Sequence, residues 1–325
     1  MIKKTIEYHI TDSSQDCTVE EFLKARGYSH HLVVHLKKDP QGLIVDHIPV
    51  YTVHRLQAGE RLRVTLTEEE SSHNIVPVPL PLSIVYEDED ILVIDKAAGV
   101  PVHPSQGHHD NTLANAVAWY YCQKGEPFTY RAINRLDRDT TGLLILAKHM
   151  LSACVLSHEM QKRNIKREYR AMVCGRTMEQ GCIRSPIARV SGSTIERAVD
   201  HEHGESACTH YRRIAYNESL DLSYVSLWLE TGRTHQIRVH MKYIGHPLPG
   251  DFLYNPDFRY IRRQALHSVR LSFPHPFTGE VLIFSAPLPE DMACLFPGQE
   301  LPSFSRPGAD PDLPTASLSP WDNDF

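Results

Sequence analysis

Residues 134–142 read Asn134-Arg135-Leu136-Asp137-Arg138-Asp139-Thr140-Thr141-Gly142 and lead into an apolar run, 143–147. One carboxylate, Asp137, sits between two arginines just before a strand. Flanking guanidinium groups favour the ionised form of a carboxylate. A fixed, ionised carboxylate acts as a nucleophile or a base, although the same spacing also suits a structural ion-pair cluster. A second segment, 229–240, sets Arg233, His235 and Arg238 around the start of a helix, where negative charge is favoured. These three are placed to meet phosphate or a carboxylate; the plainer alternative is a helix start with solvated bases. In a third segment, 162–170, five bases surround Tyr169. Basic groups interleaved with a ring suit a phosphate backbone and a flat base, and an exposed strand edge would look the same.

These groups need elements to hold them. Thr18 and Glu21 stand at capping-box spacing, which predicts a helix over 18–24. Short strands are expected within 43–66, around turns at Asp46-His47 and at Ala58-Gly59-Glu60. Residues 83–86 and 91–94 form a predicted hairpin with the charged tip Glu87-Asp88-Glu89-Asp90. A buried strand is expected at 143–147, a helix at 153–162, an alternating strand at 169–174, a strand at 224–229 and a helix at 236–244. Strands outnumber helices and often follow one another directly. The fold class is therefore α+β, with a mixed, mostly antiparallel central sheet. The organisation read from composition is a small α/β unit over 1–70, a Pro-rich linker over 71–81, a larger domain over 82–290, and an acidic Pro/Ser-rich tail over 291–325, expected to be disordered.

Bulk composition narrows the setting. The chain is 325 residues long, 41% hydrophobic and 23% charged, which is a globular composition. No run approaches the ~18 apolar residues of a membrane span, and the N-terminus lacks a signal-peptide core, so a cytoplasmic protein without a membrane partner is expected. Seven cysteines without a Cys-x-x-Cys pair suit reduced thiols, and the neighbours His108-His109, His201 with His203, and His235 with His240 lack the His-x-x-x-His spacing of a zinc site, so no metal is expected. Net charge is −6, but residues 287–325 hold seven acids and one base, which account for all of it. Residues 131–170 carry nine bases against four acids. A local basic patch of this kind permits a nucleic-acid partner.

Taken in order, these segments resemble the RluA family of pseudouridine synthases from about residue 82 to 286. Arg135-Leu136-Asp137-Arg138 with Thr141-Gly142-Leu143-Leu144 resembles the family signature, in which the aspartate is catalytic. Lys166, Tyr169, Ala171 and Gly175 resemble its base-stacking strand. Residues 231–238, Thr-Gly-Arg-Thr-His-Gln-Ile-Arg, resemble a third motif, whose arginine pairs with that aspartate. Gly245-His246-Pro247, Gly250-Asp251 and Leu266-His267 resemble later structural segments. The sequence departs from the family at Asn134, where His is usual, and at Ala97, where Pro is usual. Residues 17–66 resemble a degenerate αL-type RNA-binding module.

The resemblance implies isomerisation of uridines in structured RNA, with large-subunit ribosomal RNA favoured and transfer RNA as the alternative. It implies catalytic roles for Asp137, Tyr169 and Arg233, with Arg233 as the partner of Asp137. Substrate binding falls to Arg135, Arg138, Lys166, His235 and Arg238. No cofactor is implied, and a monomer is expected. The competing expectations are a non-catalytic RNA-binding or RNA-folding protein on the same fold, and a hydrolase of nucleoside or glycoside bonds. The hydrolase would ordinarily need two positioned acids.

Overall fold

The computed structural model describes residues 2–68, 71–72, 74–105 and 107–298. The first unit contains β1 (Ile2–His9), α1 (Val19–Ala25), α2 (His30–Leu36), β2 (Leu43–Val45), β3 (Ile48–Pro49) and β4 (Arg61–Glu68). Thr18 caps α1 as its spacing predicts: its Oγ1 accepts the Glu21 N–H, and Glu21 accepts the Thr18 N–H at 2.8 Å. The strands form a sheet in the order β1-β4-β2-β3. Asp46 and His47 both take positive φ in the turn between β2 and β3. Two elements here escaped the sequence analysis, β1 and α2. β1 alternates half-buried and exposed positions along its whole length and so has no fully apolar face.

The remaining elements are β5 (Ile84–Glu87), β6 (Ile91–Lys96), α3 (Leu113–Lys124), β7 (Thr141–Ala147), α4 (Met150–Gln161), β8 (Lys166–Cys174), β9 (Gln180–Arg184), β10 (Ile187–Arg189), β11 (Arg197–Val199), β12 (Cys208–Asn217), β13 (Leu222–Leu229), α5 (Gln236–Tyr243), β14 (Leu266–Pro274), β15 (Val281–Ser285) and α6 (Glu290–Ala293). Among the described residues they build a nine-stranded sheet, β5-β6-β7-β14-β8-β13-β12-β9, with β15 also paired to β14. Only β7 and β14 pair in parallel; the other ladders of this sheet are antiparallel. This is the mixed α+β architecture expected. Every residue of β7 is buried, because it runs through the middle of the sheet with both faces covered. Gly142 makes the β7–β14 join possible. Its φ is +105°, and a Cβ there would lie 2.2 Å from the Ser268 carbonyl oxygen.

One core packs α3, α5 and the inner face of the sheet together through Val117, Leu136, Tyr169, Val225, Ile237 and Met241. The chain stays ordered beyond the expected start of the tail at 291. Met292, Leu295 and Phe296 are buried against Met172 and Tyr224. These apolar residues were hidden among acids and prolines in the composition average. Residues 299–325, the rest of the expected tail, lie outside the described residues.

Candidate active site

The loop before β7 carries Asp137, and its backbone is pinned from several sides. The Thr140 N–H donates to the Asp137 carbonyl at 3.1 Å, closing a tight turn. The Lys96 ammonium, on a side chain 1% exposed, donates to the carbonyls of Ala97 (2.7 Å), Val100 (2.9 Å) and Arg138 (2.8 Å). Three acceptors match the three donors of an ammonium. Burial pushes Lys96 down to about 7, against the opposing pull of the Asp139 and Asp137 charges. Arg263, clamped on Asp291, donates to the Asp139 carbonyl at 3.2 Å. Asn134 is buried, and its Oδ1 accepts the Ile145 N–H at 2.9 Å. The residue that departs from the family pattern thus ties the start of the loop to β7.

The Asp137 carboxylate faces Arg238, not Arg233. Arg238 Nη1 donates to Asp137 Oδ2 at 2.9 Å, while Nε and Nη2 grip Asp251 at 2.6 and 2.7 Å. The Arg238 side chain is 2% exposed and that of Asp251 1%. Asp251 is itself fixed by the N–H groups of Leu253 and Tyr254. Burial alone would lower the Arg238 guanidinium, but the hydrogen bond to Asp251 and the charges of Asp137 and Asp251 raise it above its ordinary value. Arg238 is therefore a permanent cation set between two carboxylates.

The expected Arg233–Asp137 pair is corrected by the helix start. Here α5 begins at Gln236, after His235 takes a left-handed φ of 58°. The first turn points Arg238 inward and leaves Arg233 at the rim, where it pairs with Glu205 and donates to the Ser206 carbonyl. His235 lines the cleft, and its ring contacts the Tyr254 hydroxyl at 2.9 Å. Burial lowers its pKa, only partly offset by Asp137, so it is a weak anchor for phosphate. Arg138 turns its guanidinium onto neighbouring Asp139 at 2.8 Å, and among the described residues it does not wall the cleft.

The cleft is small and open, with a volume of about 70 Å³, and is walled by Arg135, Asp137, Arg167, Tyr169, Leu229 and Arg238, among others. Tyr169 lies on β8 at the base, 4% exposed. Lys166 opens the same strand and is exposed. A larger cleft in the first unit, lined by Asp46, Tyr51, His54 and Glu60, has no buried cation–carboxylate set, so the chemistry belongs to the smaller one.

Of the nine bases in 131–170, six are spent on carboxylates: Arg131, Arg138, Lys148, Lys162, Arg163 and Arg170. Among the described residues Arg135 and Arg167 have no ion-pair partner, and both line the cleft. Arg167 and Asp251 were not singled out from sequence as site residues, nor was Lys96. Lys96 closes β6, whose first four residues are all buried, and a lysine ending so apolar a run was the available signal.

A model of the RNA pseudouridylate synthase family matches residues 90–243. An uncharacterised RNA pseudouridine synthase of Bacillus subtilis, YjbO, is 42% identical over 87% of this chain and 99% of its own length. Ribosomal large subunit pseudouridine synthase D of Nitrosomonas europaea is 38% identical over 81% of this chain and 79% of its own. The solved structure of human RNA pseudouridylate synthase domain containing 1 superposes with a TM-score of 0.55 at 23% identity, covering 74% of this chain and 94% of that one, which is a likeness of fold.

Proposed function

The chain belongs to the RNA pseudouridylate synthase family and is an RNA pseudouridine synthase, and from that premise we propose that Asp137 is its catalytic residue and large-subunit ribosomal RNA its substrate. The observation that carries the assignment of Asp137 is its ion pair to buried Arg238 at the floor of a cleft with two unpaired arginines. The choice of target is supported by similarity to ribosomal large subunit pseudouridine synthases D. A ribosomal RNA target supports a cytoplasmic site of action; no helix among the described residues is long and apolar enough to cross a membrane.

A uridine within folded RNA must leave its stack to reach the cleft, at a cost of a few kcal/mol. Arg135 and Arg167, with Lys166 on the same strand, attract the backbone phosphates. Tyr169 stacks on the extruded uracil. Asp137 then promotes cleavage of the N-glycosidic bond, by attack on carbon or by taking a ribose proton. The freed ring turns and rejoins through C5, and Tyr169 is the group placed to help remove the C5 proton. Arg238 fixes the carboxylate throughout and, through Asp251, is itself fixed. Uracil stays in the cleft, so isomerisation balances without a co-reactant.

The test is pseudouridine mapping by carbodiimide treatment and reverse transcription. RNA lacking the modification is incubated with wild-type protein or with Asp137→Asn. New stops in large-subunit RNA with wild type alone, at equal RNA affinity of the two proteins, are expected. Stops of equal strength with Asp137→Asn would remove the catalytic assignment. Stops confined to transfer RNA would move the target.

A further inference from the structure

Outside the cleft, Cys182, Cys208 and His210 bring their ligand atoms within 4.8 Å of one another, and Glu230 lies beside two of them. Cys208 and His210 stand two apart on β12 and so point the same way. Cys182 on β9 is the cross-strand partner of His210. Glu230, just past β13, extends the ladder opposite Cys208, whose carbonyl accepts its N–H at 3.2 Å. The two sulfurs are 3.5 Å apart, and Cys208 Sγ is 3.5 Å from His210 Nε2. Glu230 Oε1 lies 3.2 Å from Cys208 Sγ and 2.7 Å from His210 Nε2.

We propose that Cys182, Cys208, His210 and Glu230 bind one thiophilic divalent cation, zinc by the donor set, in a tetrahedral site. Zinc–sulfur bonds of ~2.3 Å and zinc–nitrogen bonds of ~2.0–2.1 Å put tetrahedral donors roughly 3.8 Å apart for two sulfurs and roughly 3.5 Å for sulfur and nitrogen. The observed Cys182–Cys208 and Cys208–His210 separations fit with small rotamer changes, and the Glu230 side chain must swing to supply the fourth donor. Binding releases the two thiol protons and shifts the His210 ring proton from Nε2 to Nδ1, and the Glu230–His210 contact gives way to two bonds to the ion. Two thiolates, one carboxylate and a dication sum to a charge of minus one. Two arginines are already placed to balance it: Arg184 Nε lies 3.3 Å from Cys182 Sγ, and Arg163 Nη1 lies 3.2 Å from Glu230 Oε2. Such outer partners orient ligands in metal sites.

Four donors leave no open position, which makes the site structural. The element it fixes is the cleft wall. The Cys208 N–H donates to Thr231 Oγ1 at 3.0 Å, and the Cys208 carbonyl accepts from Gln236 Nε2 at 2.9 Å. The ion would thus clamp the segment that leads from β13 to Arg233 and α5. The other convergent group, Asp88, Asp90 and His275, is already filled, because Lys4 and His149 hold Asp90 at 2.7 and 2.8 Å.

The experiment is titration of chelator-treated, reduced full-length protein with cobalt(II), followed by displacement with zinc. One cobalt per chain is expected, with a thiolate-to-cobalt charge-transfer band and the visible bands of a tetrahedral ion. Cys182 is exposed, so Cys182→Ser should fold normally, as circular dichroism would check. Cys182→Ser and His210→Ala should each weaken binding by more than the roughly 10–100-fold that a lost outer partner costs. Cys122→Ser, at an exposed cysteine elsewhere, should leave it unchanged. Octahedral cobalt without the charge-transfer band would overturn the proposal, as would wild-type affinity in Cys182→Ser. So would a Cys182–Cys208 disulfide in anaerobically purified protein, seen as the loss of two hydrogens in the intact mass.

Discussion

At the scale of single residues, the site turns on which arginine is buried. Arg238 is sealed between Asp137 and Asp251, while Arg233 and Glu205 are both exposed. Replacing Arg238 by Met would leave Asp251 as an uncompensated buried charge. The expected cost is about 3–5 kcal/mol, with loss of pseudouridine formation. Arg233→Ala breaks an exposed ion pair and an exposed hydrogen bond to the Ser206 carbonyl, and should cost no more than about 1 kcal/mol. Urea unfolding of the two variants checks this, and equal midpoints would contradict the assignment. Arg135 and Arg167 act through charge alone in this account. Removing either should lower the slope of log affinity for single-stranded RNA against log salt by about 0.7, measured by filter binding at several salt concentrations. An unchanged slope would mean that neither meets phosphate. The two kinds of arginine look alike in sequence; burial and partners separate them.

At the scale of elements, the parallel join of β7 to β14 supports the aspartate loop from below. His267, 1% exposed, shares a hydrogen bond of 2.9 Å with Thr141, the residue that starts β7. Burial pushes His267 down to about 4 from an ordinary 6.5. The native state therefore holds the ring neutral. Between pH 6.5 and 4 the unfolded chain binds more protons, so stability falls as pH falls through that window. The full loss amounts to about 3 kcal/mol. His267→Gln should flatten the slope of stability against pH there, as read from urea midpoints; an unaltered slope would remove His267 as its cause. Glu87 acts in a lower window. Despite burial, hydrogen bonds from Tyr120, Lys148, Lys124 and Tyr121 hold it at about 2, so its contribution persists at pH 4.5 and is lost as pH falls towards 2.

For the whole molecule, the small unit is docked on the sheet domain. Lys4 of β1 bonds Asp90, Arg131 bonds Glu68 of β4, and Glu68 also accepts the Met150 N–H. Leu151 of α4 is fully buried in the core of the small unit, beside Leu32 and Leu36. A contact of this depth couples the two units. Calorimetry should show one transition, with calorimetric and van't Hoff enthalpies equal. Leu151→Ala should cost about 2–5 kcal/mol and shift that transition as a whole. Two separate transitions in the wild type would show that the units fold independently.

The sequence by itself determined several local elements and the chemistry-bearing types. The Thr18–Glu21 box, the hairpin around 87–90, the apolar run of β7 and the alternation of β8 are short-range patterns, and short-range sterics and burial decide them. Asp137 and Tyr169 stood out as candidates because compact motifs carry them, and the roles proposed for them came from the family resemblance. Only the tertiary structure decided what depends on distant partners. It seated Arg238 on Asp137, 101 positions away, and closed Lys96 over the aspartate loop. It turned Arg138 aside and gathered Cys182, Cys208, His210 and Glu230 from neighbouring strands. Sheet order and helix rotation set these pairings, and no spacing along the chain encodes either.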